Sequence, residues 1–480
     1  MLRPWKLNIE IDGTLDKPIY LQIADAIIQD ITLGRLKSGT ALPGSRVLAA
    51  EIGVNRNTVV EALNVLIAEK WLDSKERRGT FVAEELPVLD PFKKEKNSDI
   101  IKNLEDKSYW INFNDGHSDS RLAPVDELAR AYRKIFKRKA KWQLMGYADT
   151  YGQRDFRQAI ADMLNHQRSM YVQADHICIT RGSQMALYLL AHCLWKKGDI
   201  VIVEDLGYKP AWQAFETVGV TLLSVGVDKE GLKVDEVSQI LNKYKGVKAV
   251  YTTPHHQYPT TVVMSTKRRL ELIALSNEHN FTIIEDDYDN EFHYGYRPVM
   301  PLCSNKGLRD YIYIGTLSKV VAPALRIGYL VTKNQELLRQ IGNLRKLIDV
   351  QGDVIMEQAV LQLIQEGTIK KHLRKVSQIY NQRRDTMKDL IERYLKDYVN
   401  YSVPEGGLAF WLEYKTGFNH KVFEQSVFDK GIKLISSISY SFDNKSVGFR
   451  LSFGNLEEEE MKLGIIALAN CFKETIPDNG

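Results

Sequence analysis

The sequence predicts an α/β protein that carries a small winged helix-turn-helix domain at its head. Three observations lead there. The first eighty-odd residues hold helix-period segments around a glycine turn, followed by two short strand-like runs. Residues 84–112 then mix Pro, Asp and Lys with little periodicity, as a linker does. From residue 113 onward, short β-rich runs alternate with helical segments, the pattern of a largely parallel sheet. A chain of 480 residues is too long for one ordinary core. The expected domains are 1–83, a linker over 84–112, and 113–480.

Bulk composition narrows the class. Hydrophobic residues make up 44% and charged residues 26%, as in a soluble globular protein. The formal charge of +4 neither demands nor excludes nucleic acid. Cys178, Cys193, Cys303 and Cys471 lie far apart and form no CxxC pair, which suits a reducing cytosol rather than a disulfide framework or zinc site. The opening MLRPWKLNIEIDG has no apolar signal core, and no apolar run reaches the ~18 residues a membrane helix needs. A cytoplasmic protein is expected. No internal repeat, GxGxxG or P-loop pattern is present.

In the head, PIYLQIADAIIQDITLGRL places Ile19, Ile23, Ile27 and Ile31 at helical spacing, with Gly34 as the stop. The segment SRVLAAEIGV follows, with Ser45 as a candidate N-cap and Gly53 as its break. Asn55 is the candidate cap of the next helix, NRNTVVEALNVLIAEKWL. DSKERRGTFVAEE reads as strand, tight turn at Gly79, strand: a wing with a basic tip. The N-terminal residues of a second helix in such a unit enter the major groove. Here they are Asn55, Arg56, Asn57 and Thr58. Arginine addresses guanine or a phosphate and asparagine reads adenine. Arg46, Arg77 and Arg78 would seat on phosphates. Against this, residues 1–83 hold 11 Lys and Arg against 10 Asp and Glu, a faint electrostatic footprint.

Residues 130–141 carry seven basic side chains in twelve positions. Two readings stand: the solvated face of a helix with Ala131, Ile135 and Trp142 inward, or an extra seat for DNA phosphates.

In the α/β part, ligands bind at the carboxyl ends of parallel strands, and unusual residues gather at those ends. HICITRG is a strand whose exit, Gly182-Ser183-Gln184, opens a helix. That start is either a phosphate seat or plain N-capping by Ser183. FTII runs into Glu285, Asp286, Asp287 and Tyr288; buried carboxylates there need a cation, either a metal ion or a protonated pyridine nitrogen. YIYIGT delivers Lys319, and a lysine among apolar groups becomes a nucleophile toward carbonyls. Thr316 and Arg326 flank it, and Tyr208 offers an aromatic face. An amine, a strand-end acid and an anion seat together suit pyridoxal 5'-phosphate.

Longer motifs carry a resemblance. PIYLQIADAIIQDI, LPGSRVLAAEIGVNRNTVVEALNVLIAEKWL and RRGTFV resemble the GntR-type winged-helix domain over roughly residues 16–83. That resemblance implies DNA contacts from Arg46, Arg56, Asn57, Thr58, Arg78 and Gly79, with Val60 at a position that is commonly basic. GSQMAL, EDLGY, TTPHHQYPTT, IIEDDYDNEF, GTLSK, PALRIGYL and FRLSFG resemble the fold-type I aminotransferase domain. The combination resembles the MocR family of pyridoxal phosphate-dependent transcriptional regulators.

The resemblance implies roles. Lys319 would form the internal aldimine. Asp286 would pair with the pyridine nitrogen, Tyr288 would bond the ring oxygen and Tyr208 would stack on the ring. Ser183, Gln184, Thr316 and Arg326 would hold the phosphate. Arg450 would grip a carboxylate of the effector, and Tyr147 would reach a partner's phosphate across a homodimer interface. Two positions depart from the family pattern: Leu206 replaces the proline of EDPGY, and Thr261 replaces the glycine of PTG. The function implied is a DNA-binding regulator that senses the cofactor itself or an amino compound reacting with it; the alternative is an active aminotransferase with an appended DNA-binding domain.

Overall fold

The computed structural model describes residues 9, 11, 17–75, 79–84, 86, 111–113, 115–137, 141–295, 299–415, 419–445 and 447–475. The chain divides into two compact units, Met1–Glu105 and Asp106–Gly480. Most of residues 84–112 lies outside the described residues.

In the first unit, α1 (Ile19–Thr32) follows Pro18, and Gly34 turns the chain away at φ +74°. Its buried face is Ile23, Ala24, Ile27 and Ile31, while Ile19 stays 43% exposed. Then come α2 (Ser45–Ile52) and α3 (Arg56–Ala68). Gly53 ends α2 in the left-handed conformation, at φ +77°, where a side chain would strain. Gly44, rather than Ser45, occupies the cap of α2, and no side chain bonds there. Asn55 does cap α3, its side chain accepting from the Asn57 N–H. The wing strands β1 (Leu72–Lys75) and β2 (Gly79–Val82) pair antiparallel, and Leu48, Val59, Leu66, Leu72 and Val82 close the core.

In the second unit an eight-stranded sheet is built from β3 (Ile177–Thr180), β4 (Ile200–Asp205), β5 (Thr221–Asp228), β6 (Gly231–Leu232), β7 (Val247–Thr252), β8 (Thr282–Asp287), β9 (Tyr311–Thr316) and β10 (Gly328–Val331). Their spatial order is β3-β10-β9-β8-β7-β4-β5-β6. Strands β9, β8, β7, β4 and β5 run parallel; β10 is antiparallel to both its neighbours. Apolar side chains fill both faces, as expected of runs without polar alternation. A smaller antiparallel sheet holds β11 (Val399–Tyr401), β12 (Ala409–Tyr414) and β13 (Gly448–Ser452), with Arg450 opposite Trp411. Every residue of β13 is buried, Arg450 included.

Three helices matter below: α4 (Val125–Lys137), α5 (Ser183–Leu194) and α6 (Lys209–Glu216). In α4, Ala131 and Ile135 are buried as the spacing predicts. Trp142 corrects the expectation: it lies beyond the end of α4 and is 73% exposed. Two of the basic residues are spent locally, Arg130 on Glu127 at 3.2 Å and Lys134 on Glu366 at 3.0 Å.

Candidate functional site

A cavity opens where β8 and β9 end. Its walls include Asp115, His117, Gly182, Ser183, Gln184, Tyr208, Tyr251, Tyr258, Asp286, Tyr288, Thr316, Ser318, Lys319 and Arg326. The doubly wound topology brings these segments together, because each parallel strand delivers its exit loop to the same edge.

Strand period explains how three consecutive acids are housed. Glu285 accepts from the Leu302 and Cys303 N–H groups, both at 3.0 Å. Asp287 takes Arg168 and the Tyr313 hydroxyl, the latter at 2.7 Å. Asp286 alone turns to the cavity, where the Tyr251 hydroxyl donates to its Oδ2 at 2.9 Å. Its Oδ1 is buried without a hydrogen-bond partner among the described residues. Burial pushes the Asp286 carboxyl up to about 7, against the pull of the Tyr251 bond. Among the described residues no group of His, Cys, Asp and Glu is arranged to hold a metal ion.

Lys319 follows β9 by three residues, and its Nζ lies 4.4 Å from the centre of the Tyr288 ring. Burial lowers its pKa below the usual lysine value, opposed by the attraction of Asp289. Asp289 is itself buried and bonds His256 Nδ1 at 2.7 Å. Burial works against its charge, yet His256 and Lys319 hold its carboxyl below the ordinary range.

At the other end of the cavity α5 begins. Its cap is Gly182, not Ser183, at φ +81°, and among the described residues no side chain caps the helix start. A Cβ on Gly182 would stand 2.7 Å from Arg326 Nη2, and one on Gly328 would stand 2.6 Å from Gly182 carbon. Glycine at both places lets the helix start, its positive dipole end and an exposed guanidinium converge. Gln184 donates to Pro210 O at 2.9 Å and leaves its own Oε1 buried without a partner among the described residues. The Thr316 hydroxyl donates to Ile327 O at 3.0 Å and accepts from the Ser318 N–H at 3.1 Å. Tyr208 stands just before α6 and meets Tyr258 edge-on at 5.1 Å.

The cavity therefore gathers Lys319, Asp286, Tyr288, Tyr208, Ser183, Gln184, Thr316 and Arg326. Arg450 stands behind it, 1% exposed and bonded to Tyr288. Tyr147 lies outside the wall and is 91% exposed. The sequence reading missed Tyr251, Ser318, Asp115, His117 and Tyr258. Tyr251 sits at the end of β7, beside β8, on the pleat that faces Asp286, a pairing that strand register and not local pattern sets. Asp115 carries no pattern that would single it out.

The head presents the other candidate site. Arg46, Arg56 and Asn57 are exposed on α2 and α3, and Arg56 Nε lies 3.4 Å from Ser45 Oγ. Thr58 and Val60 are half-buried, and Gly79 opens β2 at φ +109°. Arg77 and Arg78 lie outside the described residues.

The pattern of the aminotransferase class I and II family matches residues 109–468, and that of the gntR family of bacterial regulatory proteins matches 19–82. The chain is 26% identical to "Probable rhizopine catabolism regulatory protein MocR" of Rhizobium meliloti, over 96% of this chain and 95% of that one. It is 30% identical to aromatic-amino-acid aminotransferase 1 of Thermococcus litoralis, over 73% of this chain and 85% of that one. Among solved structures, Pyrococcus horikoshii kynurenine aminotransferase, in complex with PMP and its substrates and products, superposes with a TM-score of 0.72 at 28% identity, covering 78% of this chain and 93% of that one. The chain belongs to the aminotransferase class I and II family, and it carries at its head the helix-turn-helix domain of the gntR family.

Proposed function

We propose that the chain is a DNA-binding transcriptional regulator whose second unit holds pyridoxal 5'-phosphate, and that DNA affinity follows the state of that site. One observation carries the reading. A cavity with a deprotonation-prone lysine, an acid with an unpaired oxygen and a helix-start anion seat occurs in a chain headed by a gntR-type helix-turn-helix.

The residues fit the cofactor. The orphaned Asp286 Oδ1 asks for a donor, which a protonated ring nitrogen is. The first N–H groups of α5 with Arg326 ask for an anion, which a phosphate is. Bound there, pyridoxal phosphate supplies an aldehyde that condenses with amines. Lys319 offers the amine: burial enlarges its free-base share near neutral pH. Asp286 would hold the ring nitrogen's proton, and Tyr251 orients Asp286. Tyr208 would cover one face of the ring, and Tyr288 would bond its oxygen. Ser183, Gln184 and Arg326 would hold phosphate, whereas Thr316, already bonded to Ile327 O, shapes the loop that seats Lys319. Arg46, Arg56, Asn57 and Thr58 would touch DNA, with Arg78 and Gly79 at the wing. The chain acts as a cytoplasmic homodimer, with Tyr147 reaching the partner's phosphate.

An amino compound competing with Lys319 for the aldehyde would shift the protein between two arrangements, and DNA affinity would change by linkage. A working aminotransferase is the second reading, favoured by the 30% identity to an enzyme and by the complete cavity. One preparation separates them. Wild type and Lys319→Ala are loaded with cofactor, the visible absorbance band is recorded, and binding to the DNA upstream of the chain's own gene is measured with and without cofactor. Wild type shows the band, Lys319→Ala loses it, and operator affinity changes with cofactor. A wild type with no band overturns the cofactor assignment. Fast turnover of amino acids by protein that never shifts operator DNA establishes the enzyme instead.

A further inference from the structure

Behind the Lys319 side of the cavity lies a buried pair that the roles above do not use. Asp289 stands two residues beyond the end of β8 and is 1% exposed. Its Oδ1 accepts from His256 Nδ1 at 2.7 Å, so that ring nitrogen carries the hydrogen. Its Oδ2 is buried without a hydrogen-bond partner among the described residues. A turn, Gly406-Gly407, passes over the pair just before β12. A Cβ on Gly407, whose φ is +74°, would stand 2.8 Å from Asp289 Oδ2, and one on Gly406 would collide with His256 Nε2. The turn is itself pinned. The Gly407 N–H donates to Phe292 O at 2.7 Å, and the Tyr294 hydroxyl donates to Gly407 O at 2.6 Å. Two glycines let the backbone close over the acid, and these bonds keep it closed.

Packing alone does not ask for an acid here. Asparagine would fill the same space and accept the same bond from His256. What only aspartate adds is charge, and a buried charge is costly unless a cation uses it. Asp289 faces His256, Lys319 and Arg450, with Asp286 and Glu291 as neighbouring acids. Arg450 already faces Asp115 at 3.5 Å. Lys319 stands over the ring of Tyr288, the residue next to Asp289, with its Nζ 4.4 Å from the ring centre. Burial is the largest influence on the Lys319 amine and disfavours its charged form. Asp289 is the strongest charge acting against burial; Asp115 and Asp286 add to it, and Arg450 opposes it. His117 also faces the lysine, its imidazole held below the usual pKa by burial and then by Lys319.

We propose that Asp289 is a positioning residue for Lys319: fixed by His256 beneath the Gly406-Gly407 turn, its carboxylate supplies the counter-charge that keeps the lysine an ammonium group in the cofactor-free protein, and so sets the pH above which the free amine is available. The inference rests on, and deepens, the reading of this cavity as the pyridoxal phosphate site.

The test reads the lysine directly. Full-length protein without cofactor receives a brief pulse of acetic anhydride across a pH series, and mass spectrometry measures acetylation of Lys319. The lysine lines the open cavity, so the reagent reaches it. In Asp289→Asn the midpoint falls by about 1 unit, and acetylation at a fixed pH below both midpoints rises about tenfold. His256→Gln, whose amide still donates to Asp289, keeps the wild-type midpoint. A midpoint unchanged or raised in Asp289→Asn overturns the proposal. So does a His256→Gln midpoint that falls as far as that of Asp289→Asn, because the shape of this corner would then govern and not its charge. If Asp289→Asn fails to fold, Asp289→Ser, whose hydroxyl also accepts from His256, is read by the same criteria. A wild type that shows no visible band with cofactor sinks the cofactor reading and leaves the acetylation result standing. An unchanged midpoint beside a normal band sinks only the role of Asp289.

Discussion

Asp286 and Asp287 are neighbours in the chain and serve opposite faces of β8. Asp287 is spent on structure, held by Arg168 and the Tyr313 hydroxyl. Asp286 faces the cavity with Oδ2 bonded to Tyr251; among the described residues Oδ1 of either acid has no hydrogen-bond partner, and only that of Asp286 is on the cavity side. The two-residue period of a strand is the whole cause, and it assigns opposite duties to chemically identical groups.

The bare acid makes the cofactor-free protein pH-sensitive. Burial holds the Asp286 carboxyl at about 7, well above its ordinary 3.8. Between those two values the folded chain keeps a proton that the unfolded chain has released. Stability therefore falls as pH rises through that window, by an amount on the order of a few kcal/mol from this group. Asp286→Asn removes the group and flattens the dependence. Denaturant unfolding of both proteins at about pH 5, 6 and 7 measures it. Equal slopes for the two would show that Asp286 is not held protonated.

Arg168 is 4% exposed, and its charge is compensated by Asp287 inside the body. Arg168→Met leaves the buried Asp287 carboxylate with the Tyr313 hydroxyl as its remaining side-chain hydrogen-bond donor among the described residues. The expected loss is about 3–5 kcal/mol, the cost of stranding one member of a buried pair. Arg168→Met combined with Asp287→Leu restores much of it, because the uncompensated charge is gone. Chemical unfolding of the single and double variants checks the order.

Sequence reached the sheet and its strand-end residues because buried parallel strands are continuous apolar runs, and YIYIGT and FTII are of that kind. It reached the Asn55 cap because capping is local. It failed where three-dimensional neighbours decide. Ser183 has the composition of a cap, but Gly182 takes that place because Arg326 and Gly328 crowd it. Trp142 fits the apolar stripe of α4 by spacing, yet the helix ends at Lys137. Tyr251 and Asp115 matter through long-range partners, Asp286 and Arg450, which local periodicity does not report.

Thr261 stands where the family pattern has glycine, and its φ is +64°. It is 8% exposed, and its N–H donates to Gln257 O at 2.7 Å, so the turn is fixed. A β-branched residue in the left-handed region costs about 1–2 kcal/mol, and the added freedom of an unfolded glycine returns about 0.5–1. Thr261→Gly is expected to stabilise the body by about 1 kcal/mol. An equilibrium unfolding curve that moves to lower denaturant would refute the strain argument.

In the head, cap and contact can be separated. The Asn55 side chain accepts from the Asn57 N–H at 2.9 Å, so Asn55→Ala frays the start of α3 and costs the head about 1 kcal/mol. DNA binding then weakens through lost order. Arg56 is exposed, and its one side-chain hydrogen bond among the described residues, to Ser45, is a long 3.4 Å, so Arg56→Ala leaves the melting of the head unchanged. It weakens DNA binding directly. If Arg56 reads a base, the loss is about 1–3 kcal/mol and sequence preference relaxes; if it seats on a phosphate, the loss is uniform and the salt slope falls by about 1. Operator binding across a salt series, beside the melting of each variant, distinguishes the two. Both variants keep the visible band of cofactor-loaded protein, because neither residue belongs to the unit that holds Lys319. A band lost in Arg56→Ala would mean that the second unit does not hold its cofactor independently of the head.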